Sequence, residues 1–142
     1  MNINEKGLVL NISYNEFLLG SNVSLYTKRQ HHVEMYFEPE DWFCYYFYTH
    51  GKEIELWCIN GIIESICCRI SCIYDGYELI GMNFEDFLHI IKEKPSEHNI
   101  NYVPINEHRG QNQHVYDFDR CGLQIWTWRK KIKTVIISNS ND

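Results

Sequence analysis

Apolar and polar positions alternate with a period of two along much of the chain, and turn dipeptides break the alternation at intervals. The stretch Ile54 to Gly81, IELWCINGIIESICCRISCIYDGYELIG, shows this most fully. Asn60-Gly61 lies between two strand-like runs and predicts a two-residue type I′ hairpin, because both central residues of that turn need positive φ. An undistorted hairpin pairs Ile59 with Ile62, Cys58 with Ile63, Trp57 with Glu64 and Leu56 with Ser65. That register puts Leu56, Cys58, Ile63, Ser65 and Cys67 on one face, and Glu55, Trp57, Ile59, Ile62, Glu64 and Ile66 on the other. Neither face is wholly polar, so both are expected to be covered in part. Asp75-Gly76 marks a second turn and extends the segment into a β-meander.

Upstream, residues 7–12 read as a short strand. Ser13-Tyr14-Asn15-Glu16 has the spacing of a capping box ahead of Phe17, Leu18 and Leu19, which predicts a brief helix closed by Gly20. Residues 21–27 and 33–38 read as strands, with a turn at Pro39, Glu40 and Asp41. Trp42 to Tyr48, WFCYYFY, is aromatic almost throughout. It fits a central strand covered on both faces, or one that lends tyrosines to a groove; at least one of Tyr45, Tyr46 and Tyr48 should reach an exposed edge. Asn83 predicts an N-cap for a helix through Phe84, Phe87, Leu88, Ile90 and Ile91, with Glu85 and Asp86 at its positive end and Pro95 beyond it. Residues 100–105 read as an edge strand because of Pro104. Residues 107–113 read as a mobile loop, residues 115–118, 123–128 and 132–138 as strands, and the last four residues as a frayed end.

The two halves of the chain echo one another. Residues 54–66 lie over 123–135 at an offset of 69, matching Trp57 with Trp126 and Ile63 with Ile132. At an offset of 70, Val9 to Leu18 lies over Leu79 to Leu88, matching Ser13 with Asn83. The reading is a single α+β domain over 1–142, predominantly antiparallel sheet with two short helices, built as a pseudo-twofold duplication of halves 1–71 and 72–142.

Composition narrows the function. The 142 residues carry 13 Lys and Arg against 19 Asp and Glu, a formal charge of -6. That balance argues against nucleic acid as the main partner and favours a basic one. Arg129, Lys130, Lys131 and Lys133 gather on one predicted turn, and without residues 129–142 the count is 9 basic to 18 acidic. Such a cluster reads first as a solvated tip that blunts a sheet edge. No apolar run approaches the roughly 20 residues of a membrane helix, so no membrane association is expected and the protein is placed in the cytoplasm. Six cysteines lie mostly in predicted strands, where they read as reduced, packed thiols. Cys67, Cys68 and Cys72 lack the second pair of a zinc site, and the histidines lack metal-ligand spacing, so no metal or cofactor is predicted.

No nucleophile with its base, phosphate loop or deaminase motif is present, and a binding module is the better reading than an enzyme. Asp117 and Asp119, two residues apart, have the look of a strand end. His31-His32, after Lys28-Arg29, reads as a polar loop.

The order Trp57, Asn60-Gly61, Ile63-x-Ser65-Ile66, Cys67 or Cys68, Cys72, Tyr74-Asp75-Gly76 and Leu79-Ile80-Gly81-Met82 resembles small bacterial immunity proteins of contact-dependent growth inhibition and related polymorphic toxin systems. Gly122-Leu-Gln-Ile-Trp126 is similar to their C-terminal segment, and Glu78 departs from the asparagine expected before Leu-Ile-Gly. The resemblance implies a cytoplasmic, non-enzymatic protein that binds and blocks a toxin C-terminal nuclease domain. In some members of the group the toxin inserts a β-hairpin at a sheet edge or pocket. Tyr45, Tyr46, Tyr48, Asp75, Tyr77 and Glu78 are the candidate contact residues, because aromatic and acidic groups there flank the meander. The alternative is a small metal- or cysteine-dependent enzyme using Cys67, Cys68 and Cys72.

Overall fold

A computed structural model describes residues 5–36 and 42–139. The predicted turn at Pro39, Glu40 and Asp41 lies outside the described residues. Most of the chain is antiparallel sheet. Four strands, β4 (His32–Tyr36), β5 (Trp42–Thr49), β6 (Lys52–Ile59) and β7 (Ile62–Cys68), form one meander. A second comprises β10 (Glu97–Asn106), β11 (Arg109–Phe118), β12 (Leu123–Trp128) and β13 (Lys131–Ser138). They join through β7 and β13 into one eight-stranded sheet of order β10-β11-β12-β13-β7-β6-β5-β4. The β5 strand is therefore next to an edge, not central.

The predicted hairpin forms at Asn60-Gly61, with φ of 53° and 80°. Its register departs from the undistorted one. Ile59 pairs Ile62 and Cys58 pairs Ile63, but a bulge then sets Trp57 opposite Ser65 and Leu56 opposite Ile66. The extra residue moves Ile66 to the Leu56 face and Ser65 and Cys67 to the Trp57 face. The β12–β13 hairpin repeats this register at an offset of 69: Thr127 pairs Ile132, a bulge follows, and Trp126 pairs Thr134. Its turn residues, Arg129 and Lys130, also have positive φ, 52° and 66°. Where the halves meet, Cys67 pairs Ile136, flanked by Ile66 with Ile137 and Cys68 with Val135.

One face of the sheet is covered by a second layer. It consists of β1 (Leu8–Val9), β2 (Ser13–Tyr14) and β3 (Phe17–Leu18) in one small sheet, a 3-10 turn at Val23–Leu25, the β8 (Ile73–Tyr74) and β9 (Tyr77–Glu78) hairpin, and helix α1 (Phe84–Ile91). Tyr14, Phe17, Leu79 and Phe87 from this layer pack with Phe47, Leu56, Ile63, Ile66, Ile125 and Ile137 of the sheet, all essentially without exposure. Burying each such side chain contributes on the order of 1.5–3 kcal/mol.

Helix α1 starts as its sequence requires. Asn83 Oδ1 accepts the Glu85 N–H at 2.9 Å, and Lys92 closes the helix in the left-handed region at φ 57°. The other predicted helix does not form. Ser13 to Leu18 is a hairpin instead, turned at Asn15 with φ 51°, and Asn15 takes the Gly7 N–H at 2.6 Å while donating to Glu5 and Thr49. Glu16 reaches Arg29 and Thr49 and not a helix start. Tertiary partners for Asn15 and Glu16 outweigh the local capping pattern. The described residues thus contain one α-helix, not two. Residues 21–27 are not a strand either; Asn22 caps the 3-10 turn through the Ser24 N–H at 2.9 Å.

This places the second echo elsewhere. Gly20 donates to the Ile63 carbonyl at 2.8 Å, Ile63 to Ser21 at 2.9 Å and Val23 to Gly61 at 2.8 Å. Gly81 donates to Ile132 at 2.8 Å, Ile132 to Met82 at 2.9 Å and Phe84 to Lys130 at 2.8 Å. Leu19-Gly20-Ser21-Asn22 and Ile80-Gly81-Met82-Asn83 therefore occupy like positions at an offset of 61, and the offset of 70 that set Ser13 on Asn83 is replaced. Residues 109–113, expected as a mobile loop, belong to β11, leaving only a short turn between Asn106 and Arg109.

Candidate functional site

The opposite face of the eight-stranded sheet has no second layer among the described residues, and its side chains define the candidate site. Cross-strand register fixes what stands there. Tyr46 lies between His32 and Glu55, Cys44 between Glu34 and Trp57, and Tyr48 faces Glu53. Trp57 and Trp126 stand in the corresponding places of the two meanders, and Arg69 continues from β7.

A thin buried stratum runs beneath these groups. Cys44, Glu55, Cys67, Gln113, Val115, Thr134 and Ile136 are all buried. Glu55 is the charged member. Its carboxylate accepts Arg69 Nε–H at 2.6 Å, the Trp57 indole N–H at 3.1 Å and the Cys44 thiol at 3.8 Å. Arg69 is held in its charged form: burial opposes the charge, but the neighbouring Cys67 and Glu55 outweigh it and raise its pKa. In the other meander Trp126 donates to Gln124 at 2.8 Å, and Gln124 to Asp117 at 2.8 Å. Each tryptophan thus leans on the side chain two residues before it, a carboxylate in one half and an amide in the other.

Two hollows open on this face. One, of about 590 Å³, runs from Trp57 and Ser65 across Ile136 and Ser138 to Gln124, Asp117 and Asp119. The other, of about 600 Å³, is walled by Trp57, Trp126, Arg69, Thr134 and Gln113 and overhung by Asn101 to Pro104. The overhang is possible because β11 pairs with β12 only from His114 onward, so the far part of the β10–β11 ribbon extends past the sheet. Six of the eight strands contribute to the two hollows, which makes this face a trough.

The six residues singled out from the sequence do not form one surface. Tyr46 and Tyr48 belong to the open face, where Tyr46 donates to Glu34 at 2.9 Å and Tyr48 is 57% exposed. Tyr45 points to the covered face and stacks on Phe47. Asp75, Tyr77 and Glu78 sit on the β8–β9 hairpin in the covering layer. Tyr77 is exposed, but the Glu78 carboxylate is engaged within its own hairpin, accepting the Cys72 N–H at 2.6 Å, the Ile80 N–H at 3.2 Å and the Ser71 hydroxyl. Trp57, Arg69 and Trp126 were not among the sequence candidates; the alternation that aligns them was readable, but the bulge that sets Trp57 beside Ser65 and Cys67 was not.

All six cysteines are unpaired and buried. Burial pushes the Cys44 and Cys58 thiols up to about 12 and raises Cys67 and Cys121 as well. Cys68 is raised by its hydrogen bond to Cys72 and then by burial. Cys68 and Cys72 lie in the core, whereas Cys67 points to the opposite face. Among the described residues no three His, Cys, Asp or Glu side chains are grouped so as to hold a metal ion. No helix of the described residues is long and apolar enough to cross a membrane. Comparison with family models, curated protein sequences and solved structures finds no match to the chain.

Proposed function

We propose that this chain is an immunity protein that binds the C-terminal domain of a cognate bacterial toxin in the cytoplasm and neutralises it by occlusion, without catalysis. The observation that carries this reading is the open trough: a sheet covered on one side only, whose other side presents Trp57, Tyr46 and Tyr48 interleaved with Glu34 and Glu53. Aromatic side chains supply anchor area at an interface, and carboxylates around them draw in a basic partner such as a nuclease domain. A standard interface of roughly 1,600 Å² in total would occupy both hollows and the strands between them. The test is affinity for the product of the adjacent upstream gene, the expected toxin. Trp57→Ala and Tyr48→Ala are expected to weaken it together by more than about tenfold, while Tyr77→Ala, on the covered side, changes it little. Equal losses from the two sides would move the contact off the trough.

We further propose that halves 1–71 and 72–142 descend from one duplicated unit. Support comes from the shared hairpin register at an offset of 69, its bulge included, and from the matched caps at Asn22 and Asn83. A crystal structure in which the Trp57 and Trp126 ribbons do not superpose would remove that support.

A further inference from the structure

We infer that the hollow between Trp57 and Trp126 is a binding site for a carboxylate carried on a flat or branched apolar frame, received by Arg69. The inference does not rest on the immunity reading. Arg69 is the one charged residue among those lining this hollow. Its Nε is committed to Glu55 at 2.6 Å, and among the described residues no other acceptor meets the guanidinium, so the two Nη groups remain as a free fork. Glu55 cannot serve a ligand in the same way. Its side chain is 11% exposed against 52% for Arg69, and both its oxygens already accept hydrogen bonds. The pair is neutral as a whole, yet the part of it that faces the hollow is the cation.

Rigidity adds to this. Glu55 fixes the plane of the guanidinium, so a carboxylate meets a preset two-pronged donor and little side-chain freedom is lost on binding. The rest of the wall is apolar or weakly polar: the two indoles, Val103 and Ile136, with buried Gln113 and Thr134 at the base. A volume of about 600 Å³ is the size of a small-ligand site, and walls of this kind with a single charged donor select an amphipathic anion over a free inorganic one.

A free aromatic acid and the C-terminal residue of a peptide share this chemistry, and two probes separate them. 3-Phenylpropionate and Gly-Gly-Phe, each beside its uncharged amide, are titrated into nitrogen-15 labelled protein. The indole N–H resonances of Trp57 and Trp126 are followed, since one hydrogen-bonds to Glu55 and the other to Gln124. Saturable shifts of both indoles are expected, with the acid bound about tenfold tighter than its amide. Preference for the free acid assigns the hollow to a small metabolite, and comparable binding of Gly-Gly-Phe assigns it to a peptide terminus; either supports the site. Arg69→Met should erase the acid preference. Because it strands a buried carboxylate, the double variant Glu55→Gln, Arg69→Gln serves as a second test that keeps the shape of the pair and removes both charges. Equal binding of acid and amide, an acid preference that survives in the double variant, or no saturable shift at either indole overturns the proposal.

Discussion

Gly122 is where the covering layer, the sheet and the first hollow meet, and its replacement by alanine gives a sharp quantitative test. The residue closes the 3-10 turn Asp119–Cys121 in the left-handed region at φ 65°, and its carbonyl accepts the Ser138 N–H at 2.7 Å at the end of β13. A Cβ built there lies 2.0 Å from the Ser138 carbonyl oxygen and 2.6 Å from Asn11 Oδ1. The left-handed conformation costs alanine about 1–2 kcal/mol. Relief of the overlap requires the end of β13 to move off by more than an ångström, which forfeits the Ser138 hydrogen bond and loosens that of Asn11 to Arg120, about 1 kcal/mol each. The sum is roughly 3–4 kcal/mol. Gly20→Ala is the matched control: φ is 81°, but nothing lies within 4 Å of the added atom, so only the conformational part applies. Urea unfolding of both variants, with unchanged m, measures the difference directly. Gly122→Ala should lose at least about 1.5 kcal/mol more than Gly20→Ala. Equal losses would mean that the close approach of Gly122 to Ser138 is not present in solution.

Other expectations follow from single contacts. Cys44 and Cys58 keep their protons in the folded protein to about pH 12. Unfolded thiols ionise near pH ~8.5. Stability from these two groups is therefore complete below about pH 8.5 and erodes between there and 12, at up to about 1.4 kcal/mol per thiol per pH unit, which chemical unfolding across pH 7–10 will reveal. A flat profile above pH 8.5 would contradict their burial. Replacing Arg129-Lys130 by Asn-Gly gives the second hairpin the turn residues its positive φ values favour, and should raise stability by about 1 kcal/mol; a thermal midpoint that falls would show that the charged tip stabilises the fold. Glu78→Ala, which orphans the Cys72 and Ile80 amides, should cost about 1–2 kcal/mol, whereas Tyr77→Ala stays within about 0.5 kcal/mol, and a thermal melt of each separates the two roles.

Much of the sheet was legible because its turns declare themselves. Asn60-Gly61 and Asp75-Gly76 predict hairpins through a local need for positive φ, and Asn83 caps α1 through one backbone hydrogen bond; both hairpins form, but the second leaves the expected meander, since β8 and β9 make a separate two-stranded sheet in the covering layer. Failures came where a distant partner decides. Asn15 and Glu16 look like a helix start until Gly7, Thr49 and Arg29 are brought to them. Residues 109–113 are polar and contain glycine, yet pairing with β10 holds them extended. The same applies to the site. Periodicity put Trp57 and Glu55 on one face, but a bulge, invisible in the pattern of apolar residues, brings Cys67 and Ser65 there too. Nothing in the apolar pattern singled out Arg69, and only the register of β6 with β7 sets it beside Glu55.

The proposed role of the trough as a protein-binding surface is tested most directly by the growth of bacteria expressing the proposed partner, the product of the adjacent upstream gene. Co-expression of the wild-type chain is expected to restore growth and to yield a one-to-one complex on purification. A folded Trp57→Ala, Tyr48→Ala variant is expected to restore it poorly. Continued growth arrest with the wild-type chain present at equal level, and no complex, would contradict the account.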